Sequence, residues 1–144
     1  MTKPGPPTLF IYRGLPGSGK TTRANEHGCL VISSRDMYSM VGGEYQYDLR
    51  IGKEEPAPCR PRIKAWAHGI IAQTLNIGAD VAVAETLVKR EMVQVYIDLA
   101  RACHANFKVI DCFISAADSH KRNTHNVPVE VINDLAENFE PWVS

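Results

Sequence analysis

The sequence predicts an α/β fold of three layers, α/β/α, with a parallel sheet of four to five strands and a helical lid. Three observations carry this. Short β-branched or apolar runs alternate with segments of helical period, and such alternation implies parallel strands with helices on both faces. The run Val81-Ala82-Val83-Ala84 is apolar without a break, as a strand covered on both faces must be. The first strand opens into Gly14-Leu15-Pro16-Gly17-Ser18-Gly19-Lys20-Thr21, which fits the phosphate-loop pattern G-x-x-x-x-G-K-[ST].

At 144 residues and 44% hydrophobic content, the chain suits one globular domain with a real core. Residues 1–7 read as a disordered lead-in, because they hold three prolines and a glycine and lack the apolar centre of a signal peptide. Residues 8–144 read as a single domain. Sixteen basic and sixteen acidic residues cancel, so net charge gives no support to nucleic-acid binding, although it leaves room for a local basic patch. No stretch is long and apolar enough to span a bilayer. Cys29, Cys59, Cys103 and Cys112 show no C-x-x-C spacing and read as reduced thiols of a cytoplasmic protein.

Thr8-Leu9-Phe10-Ile11-Tyr12 is β-branched and aromatic and predicts the first strand. A short helix follows from Thr22 to Glu26. The loop between them is the P-loop of the fold, a P-loop NTPase design. Its glycines let backbone N–H groups turn inward around a phosphate, and the helix N-terminus adds partial positive charge. Gly14, Pro16, Gly17, Ser18, Gly19, Lys20, Thr21 and Thr22 are therefore the candidate nucleotide-binding residues. Lys20 suits the β- and γ-phosphates, and the Thr21 hydroxyl suits Mg²⁺. The expected cofactors are ATP or another nucleoside triphosphate, and Mg²⁺.

Cys29-Leu30-Val31-Ile32-Ser33 predicts a second strand ending in Ser34-Arg35-Asp36. A carboxylate just beyond the carboxyl end of such a strand faces the ligand crevice, which makes Asp36 a candidate general base. The competing role is a helix N-cap, filled by Ser33, Ser34 or Asp36. Residues 37–60 read as irregular, with Gly42-Gly43 and Pro56-Ala57-Pro58 as breakers. Tyr38, Tyr45 and Tyr47 lie there with Arg50 and Lys53, either stacking on a substrate or packing as half-buried aromatics. Arg60, Arg62 and Lys64 form a small basic cluster that Glu54 and Glu55 can neutralise.

Ile63, Trp66, Ala67, Ile70, Ile71, Thr74 and Leu75 give a helix over 61–77. His68 on it reads as a surface or packed histidine. Asp80 to Glu85 is the third strand. Glu85 and Thr86 lie at its tip, where an acid holds Mg²⁺ or its waters, positions a substrate hydroxyl, or caps the following helix. A helix over 89–104 presents Met92, Val95, Tyr96, Leu99, Ala100 and Cys103. Phe107 to Ile114 is the fourth strand. The polar segment 115–126 carries two histidines, Lys121 and Arg122, as a basic lid over phosphates does, or a solvated helix face. Arg122 is the candidate for charge on a transferred phosphoryl group. Pro128 starts a last helix with Val129, Ile132, Leu135, Ala136 and Phe139 on one side.

A phosphate loop, an Asp after strand two and a basic lid before the last helix make up the layout of a small-substrate or end-group kinase. Phosphoryl transfer needs positioning and charge neutralisation more than covalent chemistry.

Four segments carry a resemblance to the P-loop kinase domain of phage polynucleotide kinases and their relatives. Arg13 to Thr22 resembles R-G-x-P-G-S-G-K-[ST]-T; Ser34-Arg35-Asp36-Met37-Tyr38 resembles the segment whose first Asp activates the attacking hydroxyl. Glu85-Thr86 stands where that family has D-[NT]-[TN], and Arg122-Asn123 with Val127-Pro128 and Ile132 resembles R-N-x-x-x-x-V-P-x-x-x-I. The likeness runs in order over about residues 8–140. It implies ATP, Mg²⁺ and a nucleic-acid hydroxyl, classically a 5′-hydroxyl of DNA or RNA, with DNA the expected partner. It implies Asp36 as base, Lys20 and Thr21 at phosphates and metal, and Arg122 at the transferred group, while Glu85 stays the strand-tip candidate for the metal. Arg35, Tyr38 and Thr86 are the candidate substrate contacts. Met37, Glu85, Leu87 and Asn126 depart from the pattern, chiefly on the acceptor side.

Other readings compete. A phage DNA kinase acting on a hydroxymethylated base shares the same fold and site, with the base out of the stack. A kinase of a small metabolite or nucleoside fits the neutral charge. A non-catalytic nucleotide switch has no use for an acceptor-side base. A toxin phosphorylating a cell-wall sugar nucleotide shares the loop and the Asp but not the lid.

Overall fold

The computed structural model describes residues 5–40, 60–122 and 127–142. The elements are β1 (Thr8–Gly14), α1 (Lys20–Asn25), β2 (Leu30–Ile32), α2 (Ser34–Met40), α3 (Arg60–Asn76), β3 (Val81–Glu85), α4 (Arg90–Ala102), β4 (Asn106–Cys112), α5 (Ala116–Lys121) and α6 (Val129–Asn138). The four strands form one sheet in the order β2-β3-β1-β4. Every pairing is parallel, with Leu9 opposite Val81 and Phe107, and Arg13 opposite Glu85 and Asp111. All four strands therefore deliver their carboxyl ends to one edge, which is where ligands bind in such sheets.

Alternation along the strands sorts two cores. Leu9, Ile11, Val81 and Val83 face Ile63, Ala67, Ile71 and Leu75 of α3 and Val93, Ile97 and Ala100 of α4. Tyr12, Ala82, Ala84 and Cys112 face the opposite way, against Ala24 of α1. Helices thus cover both faces, and the three layers are as the sequence predicts. Fully burying each of the larger aliphatic side chains contributes on the order of 1.5–3 kcal/mol. A third cluster joins Leu15 of the phosphate loop to Val127, Val131, Ile132 and Leu135.

The structure moves several boundaries. β1 runs on to Gly14, because Arg13 and Gly14 still pair with Asp111 and Cys112. α1 starts at Lys20, two residues before the expected helix. The chain is helical through Met40, where an irregular segment was expected from residue 37. α4 buries Val93, Tyr96, Ile97 and Ala100, while Met92 and Val95 are exposed. Its apolar stripe is wide enough for two facings, and the sheet selects the one with the β-branched pair. Trp66 and Val129 likewise lie outside their cores. Phe139 leaves the helix in an extended conformation instead of completing it.

His68 is a packed histidine, edge-on to the Tyr96 ring at 5.2 Å. Burial and then Lys64 push its pKa down. Cys103 and Cys112 are free thiols. Among the described residues, no helix is long and apolar enough to cross a membrane. Tyr45, Tyr47, Arg50, Lys53, Glu54, Glu55, Cys59, Asn123 and Asn126 lie outside the described residues, as do residues 1–4 of the lead-in. Pro7, at its other end, accepts from Asn106 N at 2.9 Å.

Candidate active site

The phosphate loop leaves β1 at Gly14, which sits hard against β4. A Cβ there would lie 2.5 Å from the Cys112 carbonyl and 2.6 Å from Ser18 Oγ. Gly17 and Gly19 take φ of +76° and +84°, a region that side chains with a Cβ rarely enter. Ser18 N donates to Leu15 O at 3.1 Å, closing the turn, and Gly19 caps α1. Lys20 then opens the helix, and its Nζ donates across the loop to Leu15 O at 3.3 Å. Burial draws the Lys20 pKa down to about 8, against the opposing pull of Glu85 and Cys112.

Loop, strand tips and lid enclose a cleft of about 390 Å³, within the range that holds a small-molecule ligand. Pro16, Gly17, Gly19, Lys20, Thr21 and Thr22 form one wall. Ser33, Ser34, Arg35 and Asp36 form a second, and Ala84, Glu85 and Thr86 form the floor. Arg122 closes it from the lid side.

Two of the residues expected to bind nucleotide do not line the cleft. Gly14 packs on β4 and Ser18 points inward, away from the cleft lining; Ser18 Oγ is buried with no hydrogen-bond partner among the described residues. Nothing is described of the Tyr38 side chain, which leaves its expected contact outside the described residues.

The N-cap alternatives resolve onto Ser33, whose Oγ accepts from Asp36 N at 3.3 Å. Asp36 is exposed in the first turn of α2 and faces the cleft. Glu85 accepts two hydrogen bonds through Oε1, from Ser34 N and Ser34 Oγ, each at 2.6 Å. It thereby ties the tip of β3 to the start of α2. Burial pushes the Glu85 carboxyl up, while Ser34, Lys64 and Lys20 pull it down less strongly.

Sequence reasoning assigned no role to a buried ion pair beneath the site. Arg13 is fully buried, and its guanidinium pairs with Asp111 at 3.0 Å. It also donates to Leu87 O at 3.1 and 2.5 Å and lies 4.3 Å over the Phe139 ring. The sequence held half a signal, Asp111 inside the apolar fourth strand, whereas Arg13 fell just past the expected end of the first. Their facing register was not readable. The lid also differs from an open polar segment: α5 is capped by Ser115, and Ser119 within it is fully buried.

A family model described as an AAA domain, AAA_33, matches residues 9–142. The chain belongs to that family. Its fold matches a chain of the Pnkp1/Rnl/Hen1 RNA repair complex with a TM-score of 0.78 at 17% identity, over 95% of this chain and 45% of that one. It also matches a gluconokinase from Sinorhizobium meliloti 1021 (TM-score 0.57, 17% identity, 94% of this chain and 76% of that one). A third match is the Mycobacterium tuberculosis APS kinase CysC, solved with AMPPNP and APS (0.62, 16%, 85% and 71%). The chain spans less than half the length of the RNA repair-complex chains it matches. The fold is thus one that kinases share.

Proposed function

We propose that this chain is an ATP- and Mg²⁺-dependent kinase that transfers the γ-phosphoryl group to a hydroxyl of nucleic acid, as a 5′-hydroxyl polynucleotide kinase does. One observation carries the reading: a phosphate loop with Lys20, a carboxylate at Asp36 and a lid cation at Arg122 line a single cleft. A nucleotide binder alone needs only the first.

The roles follow from placement. Lys20 and the loop amides take the phosphates of ATP. The donor set suits Mg²⁺, since Thr21 on one wall of the cleft and Glu85 in its floor offer hard oxygens. The ion, when bound, neutralises phosphate charge. Asp36 accepts the proton of the attacking hydroxyl, and its exposure leaves room for an acceptor to approach. Arg122 neutralises charge that develops on the transferred group. Arg35 and Thr86 line the acceptor side.

Support for a nucleic-acid acceptor comes from the R-N…V-P segment and from the high TM-score with a chain of an RNA repair complex. A metabolite acceptor is the second reading, favoured by a gluconokinase matched over 76% of its own length. The deciding experiment offers labelled ATP to a panel: oligonucleotides with open 5′-hydroxyls, the same with blocked ends, duplexes with hydroxymethylated bases, free nucleosides and sugar acids. Label on open 5′ ends alone supports the proposal. Label on blocked, hydroxymethylated DNA makes it a base kinase, and label on small molecules alone overturns the nucleic-acid reading. On the true acceptor, Asp36→Asn keeps ATP binding and lowers turnover by about 10²–10⁴-fold.

A further inference from the structure

Three consecutive residues of the phosphate loop hold the lid segment and the helix that follows it. The Leu15 side chain is buried among Val127, Val131, Ile132 and Leu135. The Pro16 carbonyl accepts from Ser119 Oγ at 2.6 Å. Gly17 lies so close that a Cβ on it would come within 2.8 Å of Arg122 Cβ. These are three of the motif's four unspecified positions, so the pattern G-x-x-x-x-G-K-[ST] is silent about them.

Ser119 is fully buried on a helix of six residues, too short to hold its own shape in water. An alanine would fill nearly the same space and need no partner. The hydroxyl therefore adds direction more than bulk, because a buried O–H must find an acceptor. Arg122 follows Ser119 by three residues, one turn on, where side chains share a helix face. Arg122 N in turn donates to Asp118 O at 3.0 Å, so the turn between the two residues is closed.

The geometry points to Ser119 as a positioning residue that sets Arg122 over the phosphate loop through its hydrogen bond to the Pro16 carbonyl. The lid cation is then oriented by the same loop that binds the phosphates. Ser119 itself touches no reacting atom. The inference rests on the reading of the cleft as an ATP site and is independent of the acceptor's identity.

The test is a double-mutant cycle of Ser119→Ala and Arg122→Ala. The readouts are kcat and KM for ATP, with the acceptor found by the panel or, lacking one, with water. Binding of a fluorescent ATP analogue is measured alongside. Ser119→Ala lowers kcat by about 10-fold, equal to about 1.4 kcal/mol, and leaves KM for ATP unchanged. In the Arg122→Ala background it lowers kcat no further. Wild-type kcat in Ser119→Ala overturns the inference. So does the same kcat loss with and without Arg122, since a merely structural role is additive. Should Ser119→Ala lose its cooperative melt, Ser119→Cys, which keeps a weak donor, is read in the same cycle. A wild-type chain that binds no ATP analogue overturns the ATP site and this inference together. Binding and turnover that ignore Ser119 overturn this inference alone.

Discussion

The Lys20 ammonium sits in a pocket that disfavours its charge: burial draws its pKa to about 8, Arg35 adds repulsion, and Glu85 and Cys112 offset part of this. A triphosphate brought beside it restores the preference for the charged form. Between pH 8 and the raised value, the complex holds a proton that half or more of the free molecules lack. Binding in that window takes up a proton, so nucleotide affinity falls as pH climbs past about 8, by up to about one decade per unit. Calorimetry at pH 8.5 in two buffers of different ionisation enthalpy measures the uptake directly. Lys20→Arg keeps a charge that does not titrate there, and its binding heat becomes independent of buffer. Identical heats for the wild-type protein would place no titrating group beside the phosphates. The residue types of this site were legible, because Lys20 and Thr21 belong to a motif and Asp36 to a strand tip. The hydrogen bond of Ser119 was not, because a serine among polar neighbours reads as solvated until the fold buries it.

At the scale of elements, Arg13 joins parts that the chain keeps far apart. Its contacts reach β4 through Asp111, the β3–α4 connection through Leu87 O, and the residues after α6 through Phe139. That last segment is tied down four further times, by Glu140 N to Val88 O, Arg90 N to Glu140 Oε1, Arg90 Nε to Pro141 O, and Trp142 N to Asp111 Oδ2. Leu87 itself takes a φ of +46°, unusual for a branched side chain, and Thr86 of the cleft immediately precedes it. The ion pair therefore braces the cleft floor from below. Breaking it from one side leaves a buried charge without its partner, which costs about 3–5 kcal/mol. Urea unfolding of Asp111→Ala should show a loss of that size, and replacing Arg13→Met together with Asp111→Leu should recover part of it. An unchanged midpoint in Asp111→Ala means that the pair contributes nothing net. Helical period located α3, α4 and α6, but on α4 it admitted two facings. A stripe of Met92, Val93, Val95, Tyr96 and Ile97 is apolar either way, and only packing against the sheet decides between them.

For the whole molecule, the alternation of strand and helix was enough to read three layers and a parallel sheet. The order β2-β3-β1-β4 was not in the pattern, since it depends on which strands meet after the helices cross over. That order sets β1 between β3 and β4, so the phosphate loop emerges beside both the Glu85 tip and the start of the lid. A ligand in the cleft therefore touches four parts of the chain at once: the loop with α1, the start of α2, the β3 tip and Arg122. Binding to the folded state alone stabilises it by mass action, about 2.7 kcal/mol at a hundredfold excess over Kd. ATP with Mg²⁺ should thus raise the melting temperature in proportion to the logarithm of its concentration. ATP with EDTA should raise it less, because phosphate charge then meets Lys20 and Arg122 without the ion. Lys20→Ala should remove most of the shift in both, while Asp36→Asn should retain it if Asp36 serves the acceptor as proposed. A melting temperature indifferent to ATP and Mg²⁺, in a chain that folds cooperatively, would mean that the cleft is not a nucleotide site. A shift lost equally in Asp36→Asn would move that carboxylate from the acceptor to the phosphates.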